Sequence, residues 1–284
     1  MRFLLISFLG VILLSGCLLN QDGPDAPGQP VSATVGGLIK VEDYDGPEKF
    51  AFIQGQFTEK AAAASFVAKS ALRAASQTKC QYSQKTTTRA AASTFISVGQ
   101  LGFGPALQST LTEIPQAESG AYYRELDADI PSGVYLAAAK GDGKIPAFQE
   151  YISVPERITE PRVGNIDFED TSIELQKGED TIVSWRRKNS VSGADVGVMV
   201  FEVSIKLDNE VYGVFCAASE GGLTAEDGRT QWTIPSVEFD QLPDQTIGFF
   251  YLSRVYIRDP ATKNIKVDLQ GWRTRYTPAS ILAP

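Results

Sequence analysis

Asp43 and Asp45 stand two residues apart with Gly46 following, the opening of a calcium-binding loop. The remaining oxygen ligands and the distant bidentate Glu do not follow at the needed spacing, so the segment reads as a turn. Asp127 and Asp129 repeat the spacing beside Pro131 and Gly133, again in a loop. Glycoside cleavage needs two carboxyls about 5–9.5 Å apart, and among 34 acidic residues the sequence selects no pair. The chain has no His, which excludes Ser-His-Asp and Cys-His nucleophiles and His-ligated zinc or copper. Ser219-Glu220-Gly221-Gly222 is therefore a loop. Gly102-Phe103-Gly104 lacks the strand and helix of a phosphate cradle and reads as a bend. No metal, cofactor or catalytic residue is assigned, and the chain is read as a non-enzyme. The candidate ligand-facing positions are acidic residues in turn-rich segments: Asp43, Asp45, Asp142 and Asp227. Asn189–Asp195 is a further loop to examine. Trp185, Trp232 and Trp272 suit a core, but would stack sugars if exposed.

Three cysteines carry the covalent chemistry: Cys17, Cys80 and Cys216. Cys17 closes an apolar run from Phe3 to Leu14, which follows the positive charge of Arg2. Twelve residues are too few for a spanning helix, which needs about 20, and suit a cleaved signal. Leu14-Ser15-Gly16-Cys17 resembles the lipobox of bacterial lipoproteins. The resemblance implies acylation of the Cys17 thiol, cleavage before it, and anchorage by fatty chains such as palmitate. Leu18 in place of Asp implies the outer membrane of a Gram-negative cell. Outside the cytoplasm Cys80 and Cys216 can form a disulfide or remain as two buried thiols.

A formal charge of −8 does not suit a nucleic-acid binder, since phosphate affinity needs a basic face, so no nucleic-acid partner is expected. It also disfavours electrostatic docking on anionic lipid, leaving the acyl group as the membrane contact.

The elements that must position these residues are strands. Residues 1–16 form the signal, and 17–30, with three Pro and two Gly, form a tether. Val31–Val41 and Phe50–Phe57 alternate as strands. Ala61–Ala75 is Ala-rich and reads as a short helix or a loop. Thr94–Val98 and Tyr122–Leu126 read as strands, and Tyr122-Tyr123 must put one ring outward. Gly133–Val154 reads as a hairpin, with Glu150 on its apolar side. Pro155 and Pro161 bracket a charged stretch, which sets a domain boundary at 158. Beyond it, Met199, Phe201, Val203, Ile205 and Leu207 share a strand face, and Val211–Ala218 is apolar on both faces. Ile247, Phe249, Tyr251, Val255 and Ile257 alternate along a long strand and are expected inward. A bulge at Gly271 is expected to turn Trp272 inward.

Strand spacings of this kind predict an all-β protein of two antiparallel β-sandwich-like domains, 31–158 and 159–284, after a lipidated flexible tether. Asp180-Thr181-Ile182-Val183-Ser184-Trp185 resembles the second strand of fibronectin type III and immunoglobulin-like domains, which implies a sandwich over residues 160–284. The layout also resembles secreted bacterial lipoproteins without assigned activity. The reading is a lipid-anchored, non-catalytic binding or assembly module of the cell envelope, with a protein or glycan partner. The alternative is a carbohydrate-binding module using exposed Trp or Tyr, and a carboxylate-based glycosidase ranks below it.

Overall fold

The computed structural model describes residues 35–58, 79–86, 95–127, 129–142, 145–168, 172–186, 196–244, 246–258 and 265–284. Cys17, the Ala-rich segment 61–75 and the loop 189–195 lie outside them. The strands follow from a two-residue alternation of apolar and polar side chains. In the first half they are β1 (Val35–Asp45), β2 (Phe50–Thr58), β3 (Lys79–Thr86), β4 (Leu101–Pro105), β5 (Thr112–Ile114), β6 (Tyr122–Leu126), β7 (Gly133–Ala139) and β8 (Phe148–Val154). The chain continues with β9 (Thr159–Val163), β10 (Ile166–Asp167), β11 (Ile173–Gln176), β12 (Thr181–Arg186), β13 (Val196–Leu207) and β14 (Glu210–Ser219). It ends with β15 (Thr224–Glu226), β16 (Arg229–Ile234), β17 (Thr246–Arg258) and β18 (Ile265–Leu282). Two 3-10 turns occur, at Glu220–Gly222 and Ser236–Phe239, and no α-helix is present among the described residues. The protein is all-β.

One nine-stranded sheet runs β3-β14-β13-β17-β18-β1-β2-β6, with β11 also on β18. A five-stranded sheet, β10-β9-β12-β16-β15, and a four-stranded sheet, β5-β4-β7-β8, complete the fold. Both smaller sheets share cores with the long one. The first core joins Ile39, Val41, Ile53, Phe57, Val267 and Leu269 of the long sheet to Phe103, Ala137, Phe148 and Ile152 of the four-stranded sheet. The second joins Phe201, Val203, Phe250 and Leu252 to Val183, Trp185, Trp232 and Ile234 of the five-stranded sheet. The architecture is thus two sandwiches built on a common layer. Burying each large side chain contributes roughly 1.5–3 kcal/mol.

Residue 158 falls where the chain passes from one covering sheet to the other, but the long sheet is continuous across it. β1 pairs in parallel with β18, from Val35↔Ile265 to Asp45↔Arg275. β11 also pairs in parallel with β18, so the sheet is mixed rather than purely antiparallel. β3 crosses to the second half and lies on β14, where Cys80 faces Cys216. Those two cysteines form a disulfide, with Cα atoms 3.9 Å apart. All described residues belong to one compact unit, Ala33–Pro284.

The segment between Pro155 and Ile158 is held by two arginines of the long sheet. Arg273 donates from Nε to the Pro155 carbonyl at 3.2 Å and from Nη2 to the Ile130 carbonyl at 2.6 Å. Arg254 donates to the Glu156 carbonyl at 3.3 Å and to Glu220 at 2.7 Å. Gly271 lies against the Ser153 carbonyl so closely that a Cβ would fall 2.0 Å from it. This close approach is why the position is Gly. It is not a bulge: the register of β18 on β17 is unbroken through Gly271 and Trp272.

Three further expectations are corrected. Residues 95–98 are irregular rather than a strand, and Leu101–Pro105 is a strand rather than a bend. Its two glycines leave room for Leu111. On β17 Phe250 and Leu252 face the second core, whereas Ile247 and Phe249 are exposed, and of the expected face Val255 and Ile257 are buried, in a third cluster with Trp272. Both faces of that strand are apolar, so alternation alone could not choose between them.

Candidate functional site: an aromatic cleft on the shared sheet

The face of the long sheet opposite the two main cores gathers aromatic side chains from five adjacent strands. Strand pleat puts Phe249 and Tyr251 of β17, Tyr276 of β18, Tyr44 of β1, Phe50 and Phe52 of β2 and Tyr123 of β6 on this side. Register brings them together: Tyr251 faces Tyr276, Tyr44 faces Phe50, and Gln54 beside Phe52 faces Tyr123. Ring centroids lie 5.8 Å apart for Tyr251–Tyr276, 6.2 Å for Tyr276–Tyr44, 4.4 Å for Tyr44–Phe50 and 5.6 Å for Phe52–Tyr123. Phe249 adds a ring 6.0 Å from Tyr276, and Phe52 lies 6.1 Å from Tyr44. The result is an unbroken ladder of seven rings across five strands.

Part of this ladder lines a cleft of about 400 Å³, within the range of small-ligand sites. Glu42, Tyr44 and Phe50 are on one side in the strand order, Glu202 and Phe215 on the other, with Ser253 and Thr274 on the strands between. Lys40 Nζ lies 2.5 Å from Glu42 Oε1 and 4.0 Å above the Trp272 ring. Tyr44 donates its hydroxyl to the same Glu42 oxygen at 3.0 Å. Ser253 and Thr274 share a hydrogen bond of 2.9 Å. Burial, then the charge and hydrogen bond of Glu42, then the charge of Glu202, raise the Tyr44 pKa well above the tyrosine range. Burial first, and Glu202 second, push Tyr251 up to about 12. Both phenols are neutral hydrogen-bonding groups at physiological pH.

The acidic positions singled out in the sequence do not enter this cleft. Asp43 is buried on the opposite face of β1, paired with Arg273. Burial lowers the pKa of Arg273 to about 10, which leaves it cationic at neutral pH. Asp45 is buried beside Arg275, Arg157 and Lys49. Burial pushes its carboxyl up, but the hydrogen bond and charge of Arg275, with Arg157 and Lys49, outweigh it and hold the pKa below the ordinary value. Neither aspartate is a ligand-facing loop residue, because β1 extends through both. Asp142 accepts from the Ile145 amide at 3.2 Å. Asp227, with φ of 49°, precedes Gly228 in the turn between β15 and β16. These residues belong to different sheets and form no common site. Among the described residues no group of three or more His, Cys, Asp or Glu could hold a metal ion.

The tryptophans are buried, as suits a core. Trp185 is 0% exposed, Trp232 2% and Trp272 7%. No exposed Trp platform exists, and Trp272 meets the cleft only beneath Lys40. The ring ladder was missed in the sequence because its members lie as far apart as Tyr44 and Tyr276. Of its parts, the outward ring of the Tyr122-Tyr123 pair was legible.

No family model matches the chain, and no curated protein matches its sequence. Solved structures align weakly. A DUF3823 family protein from Bacteroides ovatus aligns at 11% identity and a TM-score of 0.23, covering 71% of this chain and 99% of that one. A Corynebacterium diphtheriae protein described as membrane anchored aligns at 13% and 0.23, over 88% of this chain and 59% of that one. The FN1–FN3 domains of chicken CNTN1 align at 11% and 0.20, over 87% of this chain and 66% of that one. Among the described residues no helix is long and apolar enough to cross a membrane.

Proposed function

We propose that this protein is a lipid-anchored, non-catalytic binding module of the bacterial cell envelope, and that the aromatic cleft of the long sheet is its binding face. The lipobox-like Leu14–Cys17 supports anchorage, and Leu18 supports the outer membrane. The observation that carries the binding reading is the ladder of rings ending in exposed Phe249 and Tyr123, on a sheet face where solvated polar residues would be expected. Glu42 and Glu202 on different strands of the cleft invite a two-carboxylate hydrolase. Oε1 of Glu42, however, pairs with the Lys40 ammonium and accepts from the Tyr44 hydroxyl, so that oxygen is engaged in two contacts within the chain. Binding without bond cleavage is the better fit.

Labelling cells with radioactive palmitate tests the anchor. The wild-type protein incorporates label and Cys17→Ala does not; equal label in both ends the envelope reading. Stable association of the labelled protein with outer-membrane fractions, and its release in Cys17→Ala, tests the site of residence.

A further inference from the structure

We propose that the cleft binds an uncharged, linear oligosaccharide laid across the strands along the ring ladder; this rests on the binding-module reading above. Four features select that ligand class. First, the cleft already seats a cation of its own. Lys40 Nζ lies over Trp272 and against Glu42, so the cation–π position is filled from within the chain. Second, the carboxylates of Glu42 and Glu202 line the same space and disfavour an anion. Third, β17 and β18 each have a hydrogen-bonded strand on either side. A peptide cannot add here as a strand, since that mode needs a free sheet edge. Fourth, an acyl chain would have to desolvate Lys40, Glu42 and Glu202 without hydrogen-bonding any of them.

A sugar meets the same groups favourably. Its C–H faces lie on aromatic rings, and its hydroxyls both donate to carboxylates and accept from an ammonium or phenol. Phe50 stacks one ring face on Tyr44 and is still 42% exposed. Phe249, also 42% exposed, flanks the ladder on β17. From β17 to β6 there are four inter-strand steps of about 4.8 Å, so the ladder spans ~19 Å. That is room for several sugar rings in a row rather than one.

Purified full-length protein in detergent is titrated calorimetrically with cellohexaose, chitohexaose and maltohexaose, and each sugar is recovered and chromatographed. At least one hexaose binds, with an affinity that barely changes between low and high salt. Phe50→Ala and Phe249→Ala each weaken that binding about tenfold. Ile182→Ala, on the exposed face of the five-stranded sheet, leaves it unchanged. Cooperative melting of each variant shows that it is folded. The proposal is overturned if no hexaose binds, or if both cleft variants bind like wild type. Failure of all three sugars with palmitate labelling of Cys17 intact removes the ligand class and leaves the anchored module standing. A hexaose that binds but is recovered cleaved supports the ligand class and removes the non-catalytic reading.

Discussion

The two faces of β17 carry nearly the same residue types and do opposite work. Phe250 and Leu252 point into the second core and are fully buried, packed with Phe201 and Trp232. One residue away, Phe249 and Tyr251 point into the cleft, and Phe249 keeps much of its surface in water. Residue type does not distinguish a packing aromatic from a binding one. The pleat does, together with what the neighbouring strands place beside it. On the core face the neighbours are aliphatic and aromatic from two sheets. On the cleft face they include Glu42, Lys40, Glu202 and hydroxyls.

This contrast can be broken most directly by truncation. Phe201→Ala should cost about 3–5 kcal/mol, whereas Phe249→Ala should change stability by about 0.5 kcal/mol or less. Urea unfolding measures both, and equal losses would mean that the cleft face is simply more core. Arg273→Met should also cost about 3–5 kcal/mol, because it leaves Asp43 buried without its partner. Adding Asp43→Leu should restore most of that loss, which a double-mutant cycle would show. Replacing Cys80 and Cys216 by Ala should cost about 2–4 kcal/mol, read from the same unfolding curves under oxidising conditions. The smallest effect is on pH dependence. The folded-state pKa of Asp45 is depressed from 3.8, so its pairing stabilises the protein above that pH. The contribution is lost as pH falls through the lower folded value. The melting temperature of Asp45→Asn should therefore fall less steeply below pH 3.8 than that of wild type.

Much of the fold was legible because alternation is local. Met199, Phe201, Val203 and Ile205 announce their face within one segment, and all four are buried. Pro155 and Pro161 suggested a domain boundary at 158, whereas the long sheet takes strands from both sides of that residue. What local pattern could not show was the partner of each strand. Nothing near Val35 points to Ile265, and although Cys80 and Cys216 were open to pairing, nothing near Tyr82 points to Val214 as its neighbour in a sheet. The site was less legible still. Asp43 and Asp45 look like a solvated turn until Arg273 and Arg275 arrive from the far end of the chain. Likewise, the ladder exists only after register sets Tyr44 beside both Phe50 and Tyr276.

The parallel pairing of β1 with β18 has a consequence for folding. β1 finds its long neighbour only among residues 265–275, with all the other described strands between them in the sequence. Until β18 has been made, Ile39 and Val41 lack Val267 and Leu269, which complete their core. Assembly dominated by such distant contacts is slow and exposes sticky surface in the meantime. Any form of the chain that lacks β18 should therefore leave the first core open to solvent.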